Sequence, residues 1–233
     1  GAFDDNGVHL GDMVPLDSKG RHWRMYYIGY QKQIKAKFFA FTGVAESKDG
    51  ANTFSKCSNV PIIDRSTESI AIRALHCIRR ERGGFRAWYS CGDGWEMLGG
   101  KAYPRYFSKT LFSNDGLSFA DDGGKDIVPR KRNEYRIGRC RIFKIPKKRG
   151  EFGSLAIGTT DGKYATHCIY RPNQSAPWTR AGYWMPPSQR KAVIGVYTAL
   201  NIAPILVGDR LMAFYNDDAA DYEGVSWAEW RPF

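Results

Sequence analysis

Apolar and polar positions along this chain alternate in short runs, each broken by charged or glycine-rich sequence. That period of two predicts half-buried strands, and no segment sustains the i, i+3, i+4, i+7 spacing of an amphipathic helix. One run stands out because versions of it return. Arg24-Met25-Tyr26-Tyr27-Ile28-Gly29-Tyr30 is followed by Arg86-Ala87-Trp88-Tyr89-Ser90-Cys91, then Gly153-Ser154-Leu155-Ala156-Ile157-Gly158, then Arg210-Leu211-Met212-Ala213-Phe214-Tyr215-Asn216. The copies recur at roughly 60 to 65 residues, somewhat above the spacing of a propeller blade and compatible with long loops.

Each copy sits in the same grammar. The first repeat predicts strands at 8–16, 23–30, 38–46 and 53–58, with a turn at Asp17-Ser18-Lys19-Gly20 and a type I′ hairpin at Ser47-Lys48-Asp49-Gly50. The second predicts strands at 70–78, 85–91 and 106–112, a long glycine- and tryptophan-rich loop reaching Pro104, and a second Ser-x-Asp-Gly turn at Ser113-Asn114-Asp115-Gly116. The third runs through 136–145, 152–159 and 164–170. The fourth has strand sequence within 193–207 and at 210–216. This predicts an all-β, single-domain β-propeller with four recognisable antiparallel blades, approximately 1–65, 66–130, 131–190 and 191–233. A four-stranded blade cannot bury both faces alone, so blades stack around a common axis.

Composition adds limits. The chain has 233 residues, 42% of them hydrophobic and 14% aromatic, enough for a substantial core. No stretch approaches the ~20 apolar residues of a membrane-crossing helix, so a membrane partner is not expected. Cys57, Cys77, Cys91, Cys140 and Cys168 are scattered without zinc spacing, and His9, His22, His76 and His167 fall singly. Reduced thiols, no metal and no cofactor are therefore expected. No leader pattern opens the chain, which suggests a cytoplasmic protein, although Gly1 in place of Met is consistent with removal of something upstream. The formal charge of +11 points to anionic partners. Its basic residues gather in two short runs, 79–82 and 146–150, each expected in a hairpin loop, which argues against nucleic acid and leaves an anionic saccharide open.

In a propeller, side chains at the entry of each innermost strand converge from several blades. At those places stand Asp5 (with Asp4), Glu68 and Glu134. Three such carboxylates can supply the acid, the base or nucleophile, and the tuning group of glycosidic cleavage. The alternative is that each caps a turn or pairs with a nearby cation. Arg139 and Arg73 stand in the same relation to Glu134 and Glu68, and either can grip a carboxylate or an anionic substrate group. Tyr89, Trp95 and Tyr135, with Asp93 and Tyr103 nearby, are candidates for sugar contact, against a core role.

Phe3-Asp4-Asp5-Asn6-Gly7-Val8, Tyr26-Tyr27-Ile28-Gly29-Tyr30, Glu46-Ser47-Lys48-Asp49-Gly50, Pro61-Ile62-Ile63-Asp64-Arg65, Glu134-Tyr135 with Ile137 and Arg139, and Met212 to Asn216 carry a family likeness. Together they resemble bacterial glycosidase-like five-bladed β-propeller proteins, fold relatives of arabinanases, β-xylosidases, invertases and mannoside phosphorylases. The resemblance implies an axial sugar pocket, with Asp5, Glu68, Glu134 and Arg139 on the family's matching positions. It also implies that a first blade and its carboxylate are absent here. In the fourth blade Val196-Tyr197-Thr198-Ala199 stands where the family has a Trp-Asp-Ser-Glu-like segment, and Arg139-Cys140 replaces Arg-Pro. These departures weigh against hydrolysis more than against saccharide binding, and the two functions remain as alternatives.

Overall fold

A computed structural model describes residues 1–34, 36–120, 124–145, 147–183, 200–208, 210–216 and 225–230. Every regular element among them is a strand, and no helix there is long and apolar enough to cross a membrane. Val196 to Ala199, the first part of the expected 193–207 strand and Pro146 of the second basic run lie outside the described residues. The chain forms two compact units, one of Gly1–Trp95 with Pro104–Asp126, the other of Glu96–Tyr103 with Ile127–Phe233.

The first unit holds β1 (Val8–Pro15), β2 (Trp23–Lys32), β3 (Phe38–Ser47), the short β4 (Ser55–Lys56) and β5 (Ile72–Glu81). It also holds most of β6 (Gly84–Leu98) and β7 (Lys101–Ser113), and the short β8 (Lys125–Asp126). In β2 successive residues feed opposite faces, as the pleat requires. Tyr26 joins a core with Leu75, Tyr89, Ile63 and Phe85, while Tyr27 packs with Phe3, Phe41 and Ala45. The second unit holds β9 (Glu134–Phe143), β10 (Glu151–Thr159), β11 (Tyr164–Arg171) and β12 (Thr179–Tyr183), and a separate sheet of β13 (Leu200–Val207), β14 (Arg210–Asn216) and β15 (Val225–Trp230). Phe143, Ile145 and Leu211 form a core there, with Phe152 packed against it.

The four repeats share a defect. The first strand of each carries an extra residue relative to its neighbour: between Leu10 and Asp12 in β1, Leu75 and Cys77 in β5, Gly138 and Arg141 in β9, and Leu200 and Ala203 in β13. A bulge at one place in every repeat bends and twists those strands alike.

Two turns differ from expectation. Ser47 to Gly50 is not a two-residue hairpin but a longer loop wrapped on Asp49. That carboxylate accepts from Asn52 N (3.1 Å), Thr53 N (3.0 Å) and the Thr53 hydroxyl (2.6 Å), and Ser47 donates to it at 2.7 Å. Led by the Ser47 hydroxyl, these donors hold Asp49 well below the usual carboxylate range. Asp115 repeats the clamp, accepting from Leu117 N (2.7 Å), Ser118 N (2.8 Å) and the Ser113 hydroxyl (2.9 Å). The expected loop between Cys91 and Pro104 is instead a continuation of β6 and β7, turned at Gly99-Gly100, whose φ values of 55° and 75° suit a type I′ turn.

Within the first unit the join between β3 and β5 is made largely by side chains. The two strands pair in parallel only at Ala40↔Ile72 and Phe41↔Arg73. Beyond that, the buried Thr42 hydroxyl donates to Arg73 O (2.8 Å) and accepts from Leu75 N (2.9 Å). Replacing it by Val keeps the shape and strands a buried N–H, which costs about 1–3 kcal/mol. Urea denaturation of Thr42→Val should therefore show a lower midpoint at unchanged slope, while Thr42→Ser, which keeps the hydroxyl, stays closer to wild type.

Candidate functional site

A cleft of about 560 Å³ opens in the second unit, lined by Leu98, Gly99, Lys101, Tyr103, Tyr135, Arg136, Thr160, Asp161, Gly162 and Tyr164. That volume lies in the ordinary range of small-ligand sites. Three local features build it. The Gly99-Gly100 turn carries Lys101 and Tyr103 to its wall. The start of β9 supplies Tyr135 and Arg136. The third wall is the β10–β11 turn, Thr159-Thr160-Asp161-Gly162, a third member of the Ser/Thr-x-Asp-Gly series. In it the Thr159 hydroxyl donates to Asp161, and Gly162, at φ 83°, gives its N–H to Thr159 O at 2.9 Å.

Arg136 is the centre of this cleft. Its guanidinium carbon lies 3.9 Å from the centroid of the Tyr164 ring, 5.2 Å from Tyr135 and 6.0 Å from Tyr103. Such contacts hold a cation by the negative faces of the rings. Gly158 makes the room, since a Cβ there would stand 2.6 Å from Arg136 Nε and 2.8 Å from its Cγ. Asp161 is turned to Thr159 and to Lys163 (3.0 Å), which hold it below the usual carboxylate range.

The residues expected from sequence are distributed as follows. Asp5 and Glu68 belong to the first unit and Glu134 to the second. Asp5 is exposed ahead of β1, and its neighbour Asp4 is engaged, accepting from the Tyr27 hydroxyl (3.0 Å) and Lys56 (2.5 Å). Glu68 is exposed ahead of β5 and accepts from Lys109 at 2.9 Å. Glu134 opens β9 with its side chain 3% exposed. Arg180 grips it through both nitrogens (Nη1 2.5 Å, Nη2 2.8 Å), and Lys131 N donates to it at 2.9 Å. Burial alone would raise its pKa, but the Arg180 fork and the Lys131 N–H outweigh that and hold it ionised below its ordinary value.

The expected partner Arg139 does not follow Glu134 along a regular strand. It sits at a β9 bulge with φ 51°, and two register shifts, between Glu134 and Arg136 and between Gly138 and Arg141, separate it from any simple alternation with Glu134. Arg73 is 4% exposed, donates to Asp64 O at 2.8 Å and lies over the Tyr89 ring, so it ties a loop to the core and is not open to substrate. Tyr89 is wholly buried and is a core residue, not a sugar platform. Trp95 is half-buried with its ring edge-on to Phe38 at 5.2 Å. Tyr135 lines the cleft but is 6% exposed, with the Tyr103 ring 6.3 Å away. The sequence reading missed Arg136, Tyr164 and Lys101. The third Thr-x-Asp-Gly turn and the Gly-Gly hairpin signal were the marks that locate them.

Comparison with family models and with curated protein sequences finds no match. Solved structures do match. The chain superposes over its whole length on 72% of a protein solved as a BT0996 RGII complex, with TM-score 0.70 and 16% identity. An α-L-arabinofuranosidase from Lactobacillus brevis matches over 93% of this chain and 70% of its own, with TM-score 0.60 and 10% identity. An endo-arabinase from Bacteroides thetaiotaomicron matches over 90% of this chain and 72% of its own, with TM-score 0.56 and 12% identity. At such identities the likeness shows the fold: all-β, of the β-propeller type found in glycoside hydrolases.

A depressed carboxylate contributes stability above its unfolded pKa of ~4.3, and that contribution is lost as pH falls through the folded value. Arg180→Met removes the fork while leaving Glu134 buried, so the Glu134 pKa should move upward. A carboxyl ¹³C NMR titration measures it; an unmoved pKa would show that the ion pair is not what holds the charge.

Proposed function

We propose that this chain is a carbohydrate-active protein of glycoside hydrolase type. The observation that carries the reading is positional: in a fold shared with an arabinofuranosidase and an endo-arabinase, three successive repeats present a carboxylate at the entry of the first strand. These are Asp5 ahead of β1, Glu68 ahead of β5 and Glu134 opening β9. Glycosidic cleavage needs one carboxyl group protonated to donate to the leaving oxygen and another ionised as base or nucleophile. The Arg180 fork suits Glu134 to the ionised role. Glu68 and Asp5 are the other candidate carboxylates, with the acid role unassigned between them.

A second reading, a saccharide-binding propeller without turnover, draws on the same fork. Arg180 and Lys131 N already occupy both Glu134 oxygens, so attack by this carboxylate requires that fork to open.

Incubation with pentose- and furanose-containing oligosaccharides, followed by reducing-end release and by calorimetric binding, separates the two. An enzyme loses about 10²- to 10⁴-fold in kcat on Glu68→Gln or Glu134→Gln while still binding. Binding with no wild-type turnover favours the second reading. If no oligosaccharide is bound or cut, both readings fall.

A further inference from the structure

The turn ahead of β1 is anchored on both sides and carries an exposed carboxylate, Asp5. Along its backbone Asp5 N donates to Ala2 O at 3.3 Å, Asn6 N to Tyr30 O at 3.0 Å, and Tyr30 N to Gly7 O at 2.9 Å. Phe3 is buried and stacked on the Tyr27 ring, with centroids 5.9 Å apart. Glycines on β2 and β3 make that slot. A Cβ at Gly29 would stand 2.6 Å from the Phe3 ring, and one at Gly43, the cross-strand partner of Tyr27, would stand 2.3 Å from the Tyr27 ring. Beside Phe3, the Asp4 side chain is 4% exposed and accepts from Lys56 of β4 at 2.5 Å and from the Tyr27 hydroxyl at 3.0 Å. Burial works against a charge on Asp4, and the Lys56 and Tyr27 donors more than offset it.

A plugged aromatic ring and a buried ion pair thus flank one residue that neither of them uses. Lys109 engages Glu68 and Arg180 engages Glu134, whereas among the described residues no ion pair engages Asp5. Reacting groups need to be held to within about 0.5 Å, and a misplacement of ~1 Å can cost about 100-fold in rate. An exposed carboxylate on a turn meets that demand only when the turn is fixed from outside. We propose that Asp4 is a positioning residue: held by Lys56 and Tyr27 next to the seated Phe3, it fixes the turn that presents Asp5 for glycosidic cleavage. The inference rests on the glycosidase reading above and assigns how one of its carboxylates is kept in place.

The test is a double-mutant cycle on turnover of pentose- and furanose-containing oligosaccharides. Asp4→Asn keeps the side chain's shape and removes its charge, and kcat should fall about 10- to 100-fold with KM little changed. In an Asp5→Asn background the same substitution should have little further effect, because the loss acts through Asp5. Lys56→Met, at the more exposed end of the ion pair, should reproduce the loss even if Asp4→Asn does not fold, while Lys56→Arg, which keeps a donor, should retain most of the turnover. A role confined to stability would lower the urea midpoint and leave kcat per folded molecule unmoved. That outcome overturns the proposal, and so does an equal loss in both backgrounds. A harmless Asp5→Asn in an active wild type overturns it too, and leaves the glycosidase reading to Glu68 and Glu134. If the wild type cleaves no oligosaccharide, the positioning role and the enzyme reading fall together.

Discussion

A buried backbone N–H or C=O must find a partner, and in the first unit that requirement is most severe along β5. Its parallel ladder with β3 is two pairs long, and its bulge interrupts the ladder with β6. Side chains supply what the ladders cannot. Thr42 serves both Arg73 O and Leu75 N, Asp12 takes Ile78 N at 2.8 Å, and Ser69 bonds Ile72 O (2.7 Å) and Gly92 O (2.8 Å) while accepting from Gly92 N (3.0 Å). Gly11 completes the arrangement: a Cβ there would stand 2.4 Å from Leu75 O, so only glycine lets β1 come this close to β5. The join between repeats is thus polar, buried and satisfied, which makes it specific as well as stable.

The same economy organises the turns. In the first two repeats a Ser-x-Asp-Gly sequence folds around its own aspartate, and in the second the turn is further docked from β2, where Arg24 donates to Asp115 O (2.6 Å) and Tyr26 to Gly116 O (3.0 Å). In the third repeat the related Thr-x-Asp-Gly turn lines the cleft around Arg136. Its lining tyrosines surround Arg136, and the free space left by Gly158 lets the guanidinium lie over the Tyr164 ring.

Two arginines near the start of β9 show how local surroundings divide roles. Arg180 closes on Glu134 through a bidentate fork and fixes the strand entry in its ionised form. Arg136 lies over the rings of Tyr164 and Tyr135, whose negative faces help to orient it. Residue type and spacing do not distinguish these two uses of the same side chain. Charge environment does.

Much of the fold was legible in the chain. Strand positions followed from period-two alternation, the repeat from the returning Tyr-Tyr-Ile-Gly-like run, and the Asp49 and Asp115 turns from the shared Ser-x-Asp-Gly. The propeller type of glycosidase fold came from the family likeness that these runs carry in order. Strands, repeat and turns are local properties, set by pleat, propensity and short-range hydrogen bonding. What the tertiary structure alone decided is contact between distant segments. It buried Tyr89 and Arg73, gave Glu134 to Arg180 across 46 residues of sequence, and took Arg139 out of register at a bulge. It also gathered Lys101, Arg136 and Tyr164 around one cleft. Burial, ion pairing and register depend on what lies across the sheet, and nothing in a residue's own neighbourhood along the chain carries that information.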